Sequence, residues 1–484
     1  MQQHPIGVVD EEGNVYTLRA PPIGRGAQGA VYLTTTPHVA VKILTGGVPP
    51  EAERQPGGSA ERLWTRLTQA PPGERAPGGP AGTAELRKRL EDVRLLPLPD
   101  LHLAQPLSLL RGQAGYTMRL LTGMVPIRTL IAPPGTKDLA AFYQETGGLR
   151  RRLDLLAEAA RLLARLHGVP LVYADLSLNN VFVSEEVDGR ALWLIDLDNL
   201  DFLSRSGRCI YTPGFGAPEV VRGGGVTTLS DAWAFAVLAF WMLAQVHPFL
   251  GDHVEEVGWD EDEDREKQAY AGELPWIEDP TDDLNRSSTG LPRDLVLSPP
   301  LRALFERMFG PGRTEPTRRP GLGEWAEVLL RAADRIVTCG CGATFDVTAQ
   351  ACPFCARRPA FLYLQVNRWD PAYDEDEKLA IGGRPVWNQI LNPFPEATIR
   401  RHVVEALAAE DPDPEVLRVR SVPAGIALEP VVGGPPVRLV TGGRIALLER
   451  EQRLPLPVPG KEVYLHFGPL DRPHRIGVLR WYAP

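Results

Sequence analysis

Positive charge is in short supply in this chain: 52 Lys and Arg stand against 61 Asp and Glu in 484 residues, a net charge of −9. Nucleic acids and anionic membranes are held mainly through clustered cations, so neither partner is expected. Apolar runs of bilayer-spanning length are missing as well, and the N-terminal MQQHPIGVVDEEGNVYTL has no basic stretch followed by an apolar one. A cytoplasmic location is the expectation. Cysteine is scarce too. Five are too few for a disulfide scaffold, and four of them crowd between residues 339 and 355, which in a reducing compartment favours a metal over a disulfide. Cys209 stands apart and is expected to be an ordinary packed residue. What the chain does have is 43% hydrophobic residues, enough for two to four domains with their own cores.

The patterns run from β to α and back to β. Val15–Leu18, Ala30–Thr34 and Val39–Leu44 read as strands of a twisted antiparallel sheet, separated by Gly and Pro. Residues 46–82 are rich in Pro and Gly around an amphipathic segment, Ala60–Gln69, and a second helical pattern covers Ala84–Leu95. Two more strands are predicted at Leu103–Leu110 and Gly115–Leu121. Helical periodicity then dominates at Leu149–His167, Leu229–Gln245, Leu301–Phe309 and Gly323–Ile336. The acidic run Asp252–Glu266 reads as a solvated insertion between helices or as a dock for a basic partner. Beyond residue 360, runs such as Phe361–Val366, Leu417–Val422, Arg444–Leu448, Glu462–Phe467 and Arg475–Trp481 have the spacing of an all-β sandwich.

Ile23-Gly24-Arg25-Gly26-Ala27-Gln28-Gly29-Ala30-Val31 lies between predicted strands, so its glycines make a hairpin whose N–H groups can close over nucleotide phosphates rather than open a helix. Thirteen residues after Gly29, Val39-Ala40-Val41-Lys42 puts an ammonium on the next strand, within reach of the α- and β-phosphates. A second cluster, Tyr173-Ala174-Asp175-Leu176-Ser177-Leu178-Asn179-Asn180, follows the helix that ends in Leu166-His167. There Asp175 can orient an acceptor hydroxyl and take its proton, while Asn180 can hold Mg²⁺ (or Mn²⁺) without adding charge. Asp196 ends the apolar run Ala191–Ile195, sixteen residues past Asn180. A buried carboxylate is costly there unless paired, so a metal explains it better than structure does.

In this order the motifs resemble the eukaryotic-type (Hanks-type) protein kinase family over residues 10–335, in its bacterial multidomain form. The resemblance implies an α+β fold of two lobes, β-rich over about 10–122 and α-rich over about 123–335, with ATP as phosphoryl donor. Lys42, Asp175, Asn180 and Asp196 match its catalytic positions, and Ile23, Gly24, Gly26, Gly29, Val31, Ala40, Lys42 and Met118 would surround the nucleotide. Thr212-Pro213-Gly214-Phe215-Gly216-Ala217-Pro218-Glu219 resembles the end of an activation segment, Ser230-Asp231-Ala232-Trp233 the start of the central helix, His247-Pro248-Phe249 the loop after it, and Arg319 the partner of Glu219. The Ala-Pro-Glu element favours protein over small-molecule acceptors, and Thr212 the Ser/Thr class. Glu61, 19 residues after Lys42, is the expected carboxylate partner of that lysine, ahead of Glu85 and Glu91. Several residues depart from the family: Ala174 for an Arg, Ser177 for a Lys, Asp198 for the Gly of D-F-G, and Tyr173 for a His. These departures would also suit an ATP-binding pseudokinase scaffold that recruits partners through its C-terminal domains, which is the alternative to an active kinase.

Cys339-Gly340-Cys341 and Cys352-Pro353-Phe354-Cys355 form two knuckles ten residues apart. Four thiolates in this pattern suit a closed, structural Zn²⁺ site. The segment, residues 336–358, resembles a zinc ribbon, and its size implies that metal supplies most of its folding energy. In the β-rich region 360–484, Gly382-Gly383-Arg384 followed by Arg400-Arg401-His402 is similar to the forkhead-associated family, which reads phosphothreonine. That resemblance implies Arg384 and Arg400 as phosphate contacts and a phosphoprotein partner. Ile399 stands where the family has Ser, and a plain sandwich with surface arginines is the competing reading. The expected partners are protein substrates, the chain itself among them.

Overall fold

A computed structural model describes residues 7–26, 29–44, 59–68, 80–98, 100–205, 209–255, 262–372, 385–392, 396–405, 413–441, 444–457 and 462–483. The chain divides into two compact units, one of residues 1–146, 158–293 and 302–325, the other of 147–157, 294–301 and 326–484.

In the first unit, strands β1 (Gly7–Val9), β2 (Val15–Gly26), β3 (Gly29–Thr34) and β4 (Val39–Leu44) are followed by helices α1 (Ser59–Thr68) and α2 (Pro80–Arg94), then by β5 (Ser108–Leu109) and β6 (Gly115–Arg119). The strands form one antiparallel sheet in the order β1-β2-β3-β4-β6-β5. β5 is much shorter than expected, since Leu103 instead makes a lone parallel bridge to Leu194. Side chains alternate across the pleat. One face buries Val8, Tyr16, Leu18, Val41 and Leu110. The other buries Leu44, Leu109, Ala114 and Tyr116 against Leu90 of α2.

The α-rich region carries β7 (Met124–Pro126), α3 (Leu139–Glu145), α4 (Gly148–Gly168), β8 (Leu171–Val172), β9 (Val181–Ser184), β10 (Leu192–Leu194), β11 (Asp201–Phe202), α5 (Pro218–Val221) and α6 (Thr228–Ala244). It continues through α7 (Asp252–Glu255), α8 (Asp262–Tyr270), α9 (Arg293–Val296), α10 (Pro299–Phe309), α11 (Pro311–Thr314) and α12 (Leu322–Ala333). Apolar almost all round, α6 buries every residue from Ser230 to Ala244, as such a helix must. Its start is set by a capping box, in which Thr227 accepts from the Ser230 N–H and Ser230 Oγ accepts from the Thr227 N–H. Trp233 and Phe240 then pack on Phe249, Phe309, Trp276 and Phe305. The acidic run is not merely solvated, because Val254 and Glu266 are buried.

The second unit holds a short hairpin, β12 (Ile336–Thr338) and β13 (Thr344–Asp346), and two antiparallel sheets. Their strands are β14 (Phe361–Trp369), β15 (Trp387–Leu391), β16 (Glu396–Arg400), β17 (Glu415–Val422), β18 (Gly425–Pro430), β19 (Arg438–Thr441), β20 (Arg444–Leu447), β21 (Gln452–Pro455), β22 (Val463–His466) and β23 (His474–Tyr482), with α13 (Arg401–Val404) after β16. The sheet orders are β15-β14-β23-β22-β19-β20 and β16-β17-β18-β21. Alternate residues such as Leu362, Leu364 and Val366 or Leu417 and Val419 are fully buried, the pattern of a sandwich. A charged network is buried beside them. The Asp334 carboxylate accepts from Trp387 Nε1 at 2.7 Å, Gln389 Nε2 at 3.0 Å and His402 Nε2 at 2.8 Å, and the other ring nitrogen of His402 meets Asp413. Burial alone would discharge His402, but the two carboxylates outweigh it and hold its pKa at about 9. No helix among the described residues is long and apolar enough to cross a membrane.

Candidate active site and metal centre

Register places the nucleotide-side residues on one face of the first sheet. Gly24 pairs with Val31, Val31 with Lys42 and Lys42 with Tyr116, while two residues along Leu33 pairs with Ala40 and Ala40 with Met118. A period of two therefore aligns Gly24, Val31, Ala40, Lys42 and Met118. Ile23, on the strand before the turn, is 55% exposed. The glycines divide their work. Nothing lies within 4 Å of the Cβ position at Gly24, leaving the backbone open, whereas a Cβ at Gly29 would collide with the Ile43 carbonyl. Gly26 pairs with Gly29 across the turn, and Ala27 and Gln28 lie outside the described residues.

Lys42 is buried and meets two carboxylates, Asp196 and, at 2.7 Å, Asp198 Oδ2. Burial would drive its ammonium toward neutrality, but the two acids together raise its pKa instead. Asp196 is pushed up to about 7 by burial, against the pull of Lys42, with Asp198 adding to the rise. Asp198 is also buried, yet Lys42 holds its carboxyl below the usual range. Asp198 Oδ1 has no hydrogen-bond partner.

This arrangement corrects the expectation for Glu61. The residue is exposed on α1, and the Lys42 ion pairs are made to Asp196 and Asp198. The physical reason is which helix backs the sheet: Leu90 of α2 packs beneath Lys42's face, while α1 buries Leu63 elsewhere. On α2, Glu91 turns outward to Arg87, the Glu85 side chain lies outside the described residues, and Arg89 reaches the Asn199 side chain.

The loop of Asp175 is anchored on α6. Asp231 accepts the Tyr173 N–H at 2.7 Å and the Ala174 N–H at 2.9 Å, and faces His167 Nε2 at 3.1 Å. These bonds hold Ala174 at φ +72°, a left-handed conformation that turns the next residue, Asp175, toward the site. Asp175 Oδ1 accepts from the Thr212 hydroxyl at 2.7 Å, and Asn180 Nδ2 donates to the Asp175 carbonyl at 2.8 Å. Burial raises the Asp175 pKa above its ordinary value. The Tyr173 hydroxyl donates to the Ile195 carbonyl, and the Ile195 N–H to the Asn180 carbonyl at 3.0 Å, so the loop of Asp175 and the strand end of Asp196 are tied together. Asp196 itself sits at φ +60°. Its carboxylate, the Asn180 amide and the open oxygen of Asp198 are hard oxygen donors of the kind Mg²⁺ takes. Further out, Arg319 makes a two-pronged pair with Glu219, both bonds 2.7 Å, over the face of Trp233.

Sequence reasoning identified Asp231 only as the start of a helix. A carboxylate entering a wholly apolar helix must find partners when buried, the signal that would have pointed to its role. Asp198 was read as a departure, not as the partner of Lys42.

In the second unit the four thiol sulfurs of Cys339, Cys341, Cys352 and Cys355 all lie within 4.8 Å of one another. The Cys339–Cys355 and Cys341–Cys352 separations are 3.5 and 3.7 Å. A tetrahedral site with metal–sulfur bonds of about 2.3 Å has edges of about 3.8 Å, so the cluster fits a bound ion. The Ala343 N–H draws the Cys341 thiol down to about 7, whereas burial pushes Cys339 up to about 12 and raises Cys352, so those two thiols would need the charge of an ion to become thiolates. The hairpin is not a separate domain: its Val337, Phe345, Cys339 and Cys352 share a core with Ile390, Phe361 and Tyr363 of the sandwich. Its folding energy therefore does not rest on metal alone. In the sandwich, Arg400 is taken up by the Asp413 carbonyl at 2.9 Å and by Glu415, while Gly382, Gly383 and Arg384 lie outside the described residues.

Residues 137–328 match the protein kinase domain family. The DNA damage-responsive serine/threonine-protein kinase RqkA of Deinococcus radiodurans is 32% identical over 149 residues, which cover 30% of this chain and 21% of that protein. Serine/threonine-protein kinase pkn2 of Myxococcus xanthus is 33% identical over 109 residues, 21% of this chain and 13% of its own length. Protein kinase C delta type of Rattus norvegicus is 32% identical over 126 residues, 25% and 18% of the two chains. The aligned stretches thus span about a fifth or less of these relatives. A β-rich lobe carrying Lys42 and an α-rich lobe carrying Asp175, Asn180 and Asp196 thus accompany a stretch, residues 137–328, that is similar to the protein kinase domain family.

Proposed function

We propose that the chain transfers the γ-phosphoryl group of ATP to serine or threonine hydroxyls of proteins. The observation that carries this reading is the Asp175 carboxylate, held by Thr212 and Asn180 beside the segment of Lys42 and Asp196 rather than spent on a structural ion pair. Asp175 orients the acceptor hydroxyl and receives its proton. Lys42 anchors the α- and β-phosphates, and Asp196 with Asn180 would hold Mg²⁺ (or Mn²⁺), whose charge offsets that developing on the transferred group. Asp198 takes the place of a helix glutamate in steadying Lys42, so the departure from D-F-G is a substitution within the machinery. Asp231 fixes the loop from beneath. This favours an enzyme over a scaffold that only binds nucleotide. Purified chain with γ-labelled ATP and Mg²⁺ is expected to place label on Ser or Thr, and label on neither the chain nor any protein acceptor would remove the reading.

The four cysteines we assign to one structural Zn²⁺, all four positions being filled by protein so that none is left open for chemistry. Elemental analysis should find one zinc per chain, and essentially none in a Cys352→Ser, Cys355→Ser double variant. Because the hairpin shares its core with the sandwich, that variant should melt lower yet keep its strands by circular dichroism. Zinc-free wild type after careful purification would refute the assignment.

A further inference from the structure

Helix α1 lies on the α-rich lobe, in contact with the segment that carries Thr212. Leu63 is fully buried there, and a Cβ placed on Gly214 would sit 3.1 Å from a Leu63 methyl. Arg62 reaches the buried Glu266 through Nε at 3.2 Å and Nη2 at 3.0 Å. Glu255 accepts the Ala60 N–H at 2.7 Å, capping the first turn of the helix where its dipole favours an anion. Both acids belong to the acidic run 252–266, whose role the kinase chemistry leaves unexplained.

The position of this contact gives it meaning. Thr212 donates to Asp175, and Gly214 is two residues further along the same segment, so the surface that α1 covers adjoins the place where a hydroxyl would meet Asp175. That surface is fixed. His247 Nε2 donates to the Gly214 carbonyl at 3.0 Å while its Nδ1 accepts the Phe249 N–H at 3.2 Å, and burial keeps the ring neutral. An apolar floor and a buried carboxylate therefore stand side by side next to the acceptor position, and α1 fills both with Leu63 and Arg62.

We propose that α1 occupies in cis the surface on which a protein acceptor binds, and that the acceptor displacing it pairs an arginine with a neighbouring apolar side chain. This rests on the kinase reading above. Displacement then works as a competition: apparent acceptor affinity is the intrinsic affinity multiplied by the fraction of molecules in which α1 is undocked.

The test uses the full chain, wild type, Leu63→Asp and Glu266→Gln, with a Ser peptide carrying an Arg-Leu pair and the same peptide with Ala for Arg. Leu63→Asp should speed amide hydrogen exchange over residues 210–217 and raise kcat/KM for the Arg-Leu peptide about tenfold, with KM for ATP unchanged. Glu266→Gln should lose the preference for the Arg-bearing peptide. Faster exchange without faster phosphorylation would overturn the cis-blocking role, and so would exchange that does not change. A Glu266→Gln protein that still discriminates the peptides would overturn the acceptor class. If no protein, wild type included, transfers label while Leu63→Asp still speeds exchange, the kinase reading has failed and takes this proposal with it.

Discussion

Asp175→Ala should lose on the order of a hundredfold or more in phosphoryl transfer while binding ATP and Mg²⁺ within about a few fold of wild type. The asymmetry follows from what Asp175 touches. Its carboxylate contacts Thr212 and Asn180, whereas the ion pairs of Lys42 go to Asp196 and Asp198. Removing it leaves Lys42 and its ion pairs to Asp196 and Asp198 in place. Its pKa, raised by burial, brings it closer to the range in which it can hold a proton briefly, so the loss falls on positioning and proton acceptance. Single-turnover label transfer beside calorimetric nucleotide binding separates the two. A parallel fall in both would mean that Asp175 supports the fold of the site instead.

Glycine at position 198, as in the D-F-G pattern, should slow the proposed phosphoryl transfer. Asp198→Gly strips the buried Lys42 of its 2.7 Å partner, leaving Asp196 to serve both lysine and metal. Displacing a phosphate anchor by about an ångström can cost about a hundredfold, and a loss of that order in transfer rate is expected. Asp198→Asn retains the shape but not the charge and should fall between. ATP affinity should drop as well, unlike in Asp175→Ala, because Lys42 is the group affected. An Asp198→Gly protein as active as wild type would show that Lys42 needs no second carboxylate and that Asp198 is incidental.

Much of this site was legible because its groups sit in local sequence. Thirteen residues from Gly29 to Lys42 and five from Asp175 to Asn180 are distances set by a hairpin and a single loop, so spacing alone carries the geometry. The family match begins only at residue 137, while register on β3, β4 and β6 puts Val31, Lys42, Ala40 and Met118 on one face of the sheet. What failed was pairing between distant segments. Glu61 and Lys42 are linked by no local rule, and two helical patterns competed for the place behind the sheet. Tertiary packing decided for α2 through Leu90, which left α1 free to bury Leu63 against Gly214. The acidic run misled for the same reason: Glu266 is buried by a partner about two hundred residues earlier in the chain. The cysteine knuckles were plain from their spacing, while the core they share with Ile390 and Phe361 depends on strand order that no motif encodes.

The most direct measurement is transfer of label from γ-labelled ATP with Mg²⁺ by the purified full chain, run beside Leu63→Asp to relieve α1 and Asp175→Ala to remove the acceptor-positioning group. The account predicts label on serine or threonine, in the chain or in a protein acceptor, greater with Leu63→Asp and nearly absent with Asp175→Ala. Nucleotide binding with no label transferred by either wild type or Leu63→Asp would contradict it and leave the chain an ATP-binding scaffold.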